Sequence, residues 1–393
     1  MAIDLELNEQ QRQLQDTAND LFGRLCPPSV VRRYETSTED FPREVWRQMA
    51  ELGWLSMSFP SEYDGLDCTF LDAYPIYIEL GRHLAPVPLL EVAGVAGELV
   101  AALGSPEQKG ALLPAIGGGQ AIVTLAFMEP EGCYGPAGVA LSARHTGDRY
   151  VLEGTKLLVS CAASADRLIV AARTSGAAGD EAGVSLFIVN PKAPGVAIER
   201  IPNIAGQPLY AVTFAGVEVP AADALGMIGG AWPALNAVMA KAAVLQSAMV
   251  LGAGERVQAM AVDYANHRVQ FGEPIGKHQA VQYLCTDITL EHYVARLLTL
   301  QAAWRIDTGR TFLREASLAK AAASRAAAAM TFAAHEVHAG VGFMNDYDLQ
   351  LYTRRAKHWE FNLGDYRHHL DEAMKVYAPI GFEEGAKAPA RAA

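Results

Sequence analysis

The sequence predicts an α+β protein built in three parts: helical, then β, then helical again. Three observations carry this. Capped segments with helical spacing fill residues 1 to about 118. Short segments rich in Val, Ile and Phe, separated by turn residues, fill 119–225. Longer alanine-rich helical stretches fill 226–380. Residues 381–393 read as a frayed tail.

In the first part, "NEQQ" offers Asn8 as an N-cap, with Gln11 placed to reach back as in a capping box. "REVWRQMAELGW" and "PEQKGALLPAIGGG" have helical spacing and stop at glycine. Pro27-Pro28 and "FPSEYDGLDCTF" interrupt between helices. In the second part, segments such as "AIVTLAFM", "RYVLEGTKLLVS" and "YAVTFAGVEVP" recur without intervening helices, as expected of a small antiparallel β domain. A hairpin connection is expected around Gly154 in "LEGTK". "GAGERV" at 252–257 lies inside a helical stretch and not between a strand and a helix, which argues against a dinucleotide-binding fold. In the third part, residues 231–270 form one long helix or nearly so. The small Ala240, Ala242, Ala243 and Ser247 allow close helix approach or leave room for a ligand.

The chain has 393 residues, 51% hydrophobic and 19% charged, which excludes disorder. A net charge of −12 argues against general nucleic-acid binding but leaves room for a local cationic pocket. The cysteines Cys26, Cys68, Cys133, Cys161 and Cys285 are scattered, without a CxxC pair, and read as reduced thiols. No apolar run approaches the roughly 18 residues of a membrane span. The expectation is a soluble cytoplasmic protein with neither nucleic acid nor membrane as partner.

Three constellations carry chemistry. In "HRVQFGEPIGKHQ", Arg268 stands in the last turn of a helix, Gly272 ends that helix, and a new helix begins near Lys277. One reading is a helix terminus, with Arg268 near the C-terminal dipole and Phe271 in the core. The other is a phosphate clamp: Arg268 as a bidentate fork, Gln279 as second donor, and Phe271 as an apolar wall. In "HEVHAGVGF", Gly340 and Gly342 either cap a helix or let backbone approach a ligand closely. His335 and His338 lack a third ligand at sensible spacing, so no metal is expected. In "AFMEP", Glu129-Pro130 ends a β segment, and Ser160 ends another with a free hydroxyl; both also fit ordinary turn chemistry.

Taken in order along the chain, R-x-x-F-G, the following Gln and H-x-G-x-G-F resemble the acyl-CoA dehydrogenase family over nearly the whole length. The resemblance implies an N-terminal helical domain, a middle antiparallel β domain and a C-terminal four-helix bundle. It implies FAD as cofactor, an acyl-CoA thioester as substrate, and an electron-transfer flavoprotein as acceptor. By position, Arg268, Phe271, Gln279, Glu336 and Gly340 look like contacts to the FAD of a neighbouring subunit. Met128 and Ser160 look like contacts to the chain's own flavin ring.

The pattern departs from the family at that ring and at the base. "MEPEGCYG" replaces a "TEPxAGSD" segment, putting Met128 at the threonine. "LVS" replaces "WIT", putting Leu158 at the tryptophan while Ser160 keeps a hydroxyl. Removing a proton α to a thioester needs a carboxylate beside that carbon. The family usually draws it from an "EGT", and here Leu363 stands at the glutamate. Ala242 stands where some relatives carry it on the long helix, and Ala243 replaces an arginine. Asp365 and Glu360 are the carboxylates nearby, with Asp365 the candidate base or, on the blander reading, an N-cap. Three readings follow: a self-sufficient enzyme with Asp365 as base, a partner subunit that clamps FAD in trans for a second chain, and a flavin-free structural homologue. The assembly is then a homotetramer or a heterotetramer. The second reading is similar to heteromeric enzymes of bacterial steroid catabolism, which accept bulky ring-bearing thioesters.

Overall fold

The computed structural model describes residues 7–375. The expected tail at 381–393 and the end of the third part lie outside the described residues. The first part holds six α-helices: α1 (Glu9–Leu25), α2 (Pro28–Glu35), α3 (Arg43–Glu51), α4 (Phe70–Arg82), α5 (Glu98–Leu103) and α6 (Pro106–Gly117). Asn8 and Gln11 close the capping box on α1: Gln11 N donates to Asn8 Oδ1 at 2.9 Å, and Asn8 N to Gln11 Oε1 at 3.1 Å. Thr69 with Asp72 and Ser105 with Gln108 repeat the device on α4 and α6. A wide π-helical coil, Leu90–Gly97, runs directly into α5. Such coils are rare and gather at functional sites.

The second part is one sheet: β1 (Val123–Ala126), β2 (Ser142–Thr146), β3 (Arg149–Ser160), β4 (Arg167–Arg173), β5 (Val184–Val189), β6 (Val196–Arg200), β7 (Leu209–Pro220) and β8 (Ala224–Leu225). The order is β6-β7-β3-β2-β4-β5-β8, with β1 on β4. The sheet is mixed, not purely antiparallel, because β1 pairs parallel with β4 and β2 touches β4 in the same sense at Ser142 and Arg173. The expected hairpin at Gly154 is absent. β3 runs straight through it, and the reversal falls at Gly147-Asp148 between β2 and β3. Gly154 marks a shift in the β3–β7 register, with φ of 142° and a Cβ that would meet Leu141 at 3.0 Å. Close approach explains a strand glycine as well as a turn does.

The third part is helical: α7 (Trp232–His267), α8 (Gln279–Asp307), α9 (Leu313–His338), α10 (Leu349–Phe361) and α11 (Tyr366–Lys375). The three long helices pack on one another, and the fourth position of a bundle is divided between α10 and α11, both of which lie on α9. α4 crosses α7 at backbone contact. A Cβ on Gly81 would lie 1.8 Å from Met249 O, and one on Gly252 would lie 1.8 Å from Ile78 O. Ala242, Ala243 and Ser247 are buried, whereas Ala240 borders a cleft. Most of the small-residue run therefore serves packing. By length and composition α7 could cross a membrane, contrary to the expectation from apolar runs. In the fold, 67% of its most apolar window is buried inside the protein. The five cysteines are all free.

Candidate functional site

The R-x-x-F-G stretch is not a helix stop sealed by glycine. α7 ends at His267, and Arg268 is its extended C-cap. Two short strands follow, β9 (Val269–Gln270) and β10 (Glu273–Pro274), paired as a hairpin. Its two turn residues, Phe271 and Gly272, have φ of 54° and 86°, the left-handed pair that a tight hairpin demands. Glycine adopts this freely, but phenylalanine does so at a cost of roughly 1–2 kcal/mol. Packing does not repay it, because Phe271 is 93% exposed; the core reading of this residue is overturned. Arg268 is exposed, and among the described residues its guanidinium makes no hydrogen bond or ion pair. Gln279, the first residue of α8, is exposed and donates to Tyr283 Oη at 2.6 Å. A strained aromatic and an unpaired fork, both turned outward, have the form of a binding device.

The second constellation lies beside the first. Tyr264, one turn before Arg268, stacks on His338 with centroids 4.6 Å apart. His335 stacks on Phe343 at 4.3 Å, and its Nε2 lies 2.6 Å from Thr353 Oγ1. His338 Nδ1 lies 2.7 Å from Ala334 O. Burial lowers the pKa of both imidazoles. They are bracing groups, and among the described residues no cluster of three His, Cys, Asp or Glu is placed to hold a metal. Gly340 follows in an exposed turn where a Cβ would meet nothing within 4 Å. Glu336 and Gly340 border an open apolar groove along α9 and α10, beside the exposed Phe332 and Phe343.

The interior cleft lies between the π-helical coil, the ends of β1 and β3, α7, and the α10–α11 junction. It has a cavity volume of about 80 Å³ and is lined by Met128, Leu158, Ser160 and Leu363, among others. Leu158 sits at a bulge in β3 with φ of 56°, while Leu157 N donates to Met128 O at 2.8 Å. Behind this wall Lys156 Nζ donates to Glu129 Oε1 at 2.6 Å and to Phe127 O at 2.9 Å. Glu129 Oε1 also accepts from Ala140 N and Leu141 N. Glu129 is thus half of a buried ion pair rather than a turn residue. Burial drives the Lys156 pKa down to about 8 even though Glu129 opposes the shift.

Asp365 does not border this cleft. Its Oδ1 accepts from His368 N at 2.8 Å, an N-cap to α11. Just before it, Leu363 and Gly364 have φ of 63° and 106°, which breaks α10 from α11. Lys320 pins the break: its Nζ donates to Ser324 Oγ and Trp359 O at 2.8 Å and to Gly364 O at 2.9 Å. Burial lowers its pKa to about 7. Glu360 pairs with Lys357 at 2.7 Å at the edge of the apolar groove. The carboxylate that does border the cleft is Glu91, on the π-helical coil. Its side chain keeps some exposure onto the cleft, and the depth of that cleft raises its pKa to about 7, ahead of the opposing pull of Arg355. The available signal was one acid inside the apolar run "LLEVAGVAG".

Consecutive helical, β and helical parts around an interior cleft define the acyl-CoA dehydrogenase fold. The chain belongs to the acyl-CoA dehydrogenase family: the family's N-terminal, middle and C-terminal domain models match residues 8–120, 124–217 and 230–377. It is 31% identical to the acyl-CoA dehydrogenase FadE27 of Mycobacterium tuberculosis over 372 residues, covering 92% of this chain and 95% of that one. It is 29% identical to the human mitochondrial short-chain specific acyl-CoA dehydrogenase over 359 residues, covering 90% and 86%. The solved ChsE4-ChsE5 complex from Mycobacterium tuberculosis contains a chain matching at a TM-score of 0.87 and 28% identity, over 96% of this chain and 100% of that one. Members of the family are FAD flavoproteins. The unpaired Arg268 and the open backbone at Gly340 fit an anionic, ring-bearing cofactor on the outer surface.

Proposed function

We propose that this chain is the clamp-donating subunit of a heteromeric FAD-dependent acyl-CoA dehydrogenase that acts on a bulky acyl-CoA. The observation that carries the reading is at the hairpin: among the described residues the Arg268 fork has no hydrogen bond or ion pair, and the strained Phe271 is 93% exposed, with His278 at its edge. A bound FAD would supply the hydride acceptor for the β carbon of the acyl group. For a neighbour's cofactor, Arg268 and Gln279 would hold the pyrophosphate, with Phe271, Glu336 and Gly340 as the further contacts. In its own cleft, Ser160 offers a hydroxyl, but Leu363 supplies no base and Asp365 is engaged in capping. Assembly is supported by α8, whose Tyr283, Leu290, Val294 and Leu297 form an exposed apolar stripe at helical spacing. The likeness to a chain of the ChsE4-ChsE5 complex supports a mixed assembly.

The test is the visible spectrum and size of the chain purified alone and co-expressed with a second acyl-CoA dehydrogenase chain from its own genome. The reading expects flavin only in the mixed assembly. One FAD per chain on an active homotetramer would replace it with the self-sufficient enzyme.

A further inference from the structure

The last turn of α10 leaves carbonyls without helical partners, and side chains from four other places in the fold take them. Trp359 O accepts from Lys320 Nζ of α9 at 2.8 Å and from Gln246 Nε2 of α7 at 3.0 Å. Phe361 O accepts from Tyr134 Oη, in the loop between β1 and β2, at 2.9 Å. Leu363 O lies 2.9 Å from His369 Nε2 of α11, and Gly364 O accepts from Lys320 Nζ at 2.9 Å. What they fix is the left-handed pair Leu363-Gly364. Leu363 borders both the interior cleft and an outer recess of about 370 Å³, which Tyr134 and His369 also line. Loosening this junction therefore moves a wall common to both.

Lys320 is the exposed-to-nothing member of the set. It is 1% exposed and forms no ion pair among the described residues. Its close partners are neutral oxygens: Ser324 Oγ, Trp359 O and Gly364 O. An ammonium enclosed by dipoles alone has lost the water that stabilises its charge. Burial accordingly lowers its pKa to about 7, against the pull of Asp365 at the junction and Glu360 on α10. The other titratable groups facing it are His358 of α10 and His369 of α11, both pushed down to about 3 by burial. α7 presents the uncharged Gln246, and neither α7 nor α8 adds a charged group. Both imidazoles stay neutral between pH 6 and 9, which leaves the titration in that window to Lys320.

Opening the junction returns Nζ to water, where a lysine holds its proton up to about 10.5; the closed junction gives it up at about 7. Between these limits the open form binds more protons. The closed form is therefore most secure above 10.5, weakens as pH falls towards 7, and changes no further below 7. We propose that Lys320 is a proton-operated latch on the Leu363-Gly364 junction. Proton uptake at Nζ favours release of Trp359 O and Gly364 O, and with it the opening of the wall that cleft and recess share. The latch does not depend on the trans clamp. It is read from amide exchange within this chain and the clamp from flavin content, so each fails by itself.

The experiment is hydrogen exchange of the purified full-length chain from pH 6 to 9, read by mass spectrometry and corrected for the intrinsic pH dependence of amide exchange. Over residues 362–369, opening is expected to rise about tenfold per pH unit as pH falls from 9 to 7, then stay level to pH 6. Segments of α4 and α7 around the crossing of Gly81 and Gly252 are expected to show no such slope. Lys320→Met and Lys320→Arg carry side chains that do not titrate in this window, so both should remove the slope whatever they do to the absolute rate. A level wild-type profile at the junction overturns the latch. An equal slope in α4 and α7 also overturns it, because the opening is then global, as does a slope that survives either substitution. The wild-type profiles decide the matter even if neither variant folds.

Discussion

The β9–β10 hairpin and the interior cleft share a chain but follow opposite physical rules. The hairpin spends conformational energy on Phe271, whose ring meets only the edge of His278 among the described residues, and leaves the Arg268 guanidinium without a hydrogen bond or ion pair there. The polar groups around the cleft are largely satisfied from within: behind its wall Glu129 takes Lys156 and two backbone donors, and at the α10–α11 junction Asp365 caps α11 while Lys320 gathers three carbonyls, one of them at longer range. Side chains already committed to their own fold are poor candidates for chemistry, and uncommitted ones held in place are good candidates. That criterion favours the outward hairpin as the binding part, in line with the proposed clamp.

The largest expected effect breaks the cleft side. Lys156→Met leaves Glu129 buried without its counter-charge and should destabilise the chain by about 3–5 kcal/mol, read by urea unfolding. A loss under 1 kcal/mol would mean the wall is not built on this pair. Gly81→Val comes next. Its first added carbon would enter the backbone of α7 at Met249, so the helices must part, and a cost of about 1–3 kcal/mol is expected.

Glu91→Gln sharpens the comparison through pH. The folded pKa of Glu91 is raised to about 7 from an ordinary value of 4.5. Its stabilising contribution is therefore complete below 4.5 and lost as pH climbs through 7. Wild type should lose stability relative to Glu91→Gln between these limits, with thermal melts at pH 4.5 and 8 as the measurement. Parallel melting curves for the two proteins at both pH values would refute the buried acid. The smallest stability effect belongs to Phe271→Gly. Relief of the left-handed strain is offset by unfolded-state entropy, leaving the isolated chain within about 1 kcal/mol of wild type. Flavin retention in the mixed assembly should nonetheless fall. A variant that changes stability but not flavin content would return Phe271 to a structural role.

What was legible in the sequence was local. The box at Asn8 and Gln11 needs only four residues to declare itself, and the helical, β, helical order follows from spacing alone. Parallel pairing of β1 with β4 was not legible, because it depends on residues more than forty positions apart. Gly154 misled because one glycine signals either a turn or a close approach, and only Leu141 decides between them. The exposed R-x-x-F-G stretch stood out through its motif, although the hairpin that presents it did not. Asp365 could be read as base or cap, and the hydrogen bond to His368 shows the cap. Glu91 and Arg355 escaped notice because the elements that bring them together are far apart in the chain. Nothing in "LLEVAGVAG" by itself says that an arginine from α10 lies near.

The most direct test of the clamp is the flavin content of the mixed assembly carrying Arg268→Ala. Arg268 is exposed and its guanidinium has no hydrogen bond or ion pair among the described residues, so the account predicts unchanged assembly and melting of the isolated chain, with the FAD absorbance of the complex largely lost after gel filtration. Full flavin retention in that complex would contradict it.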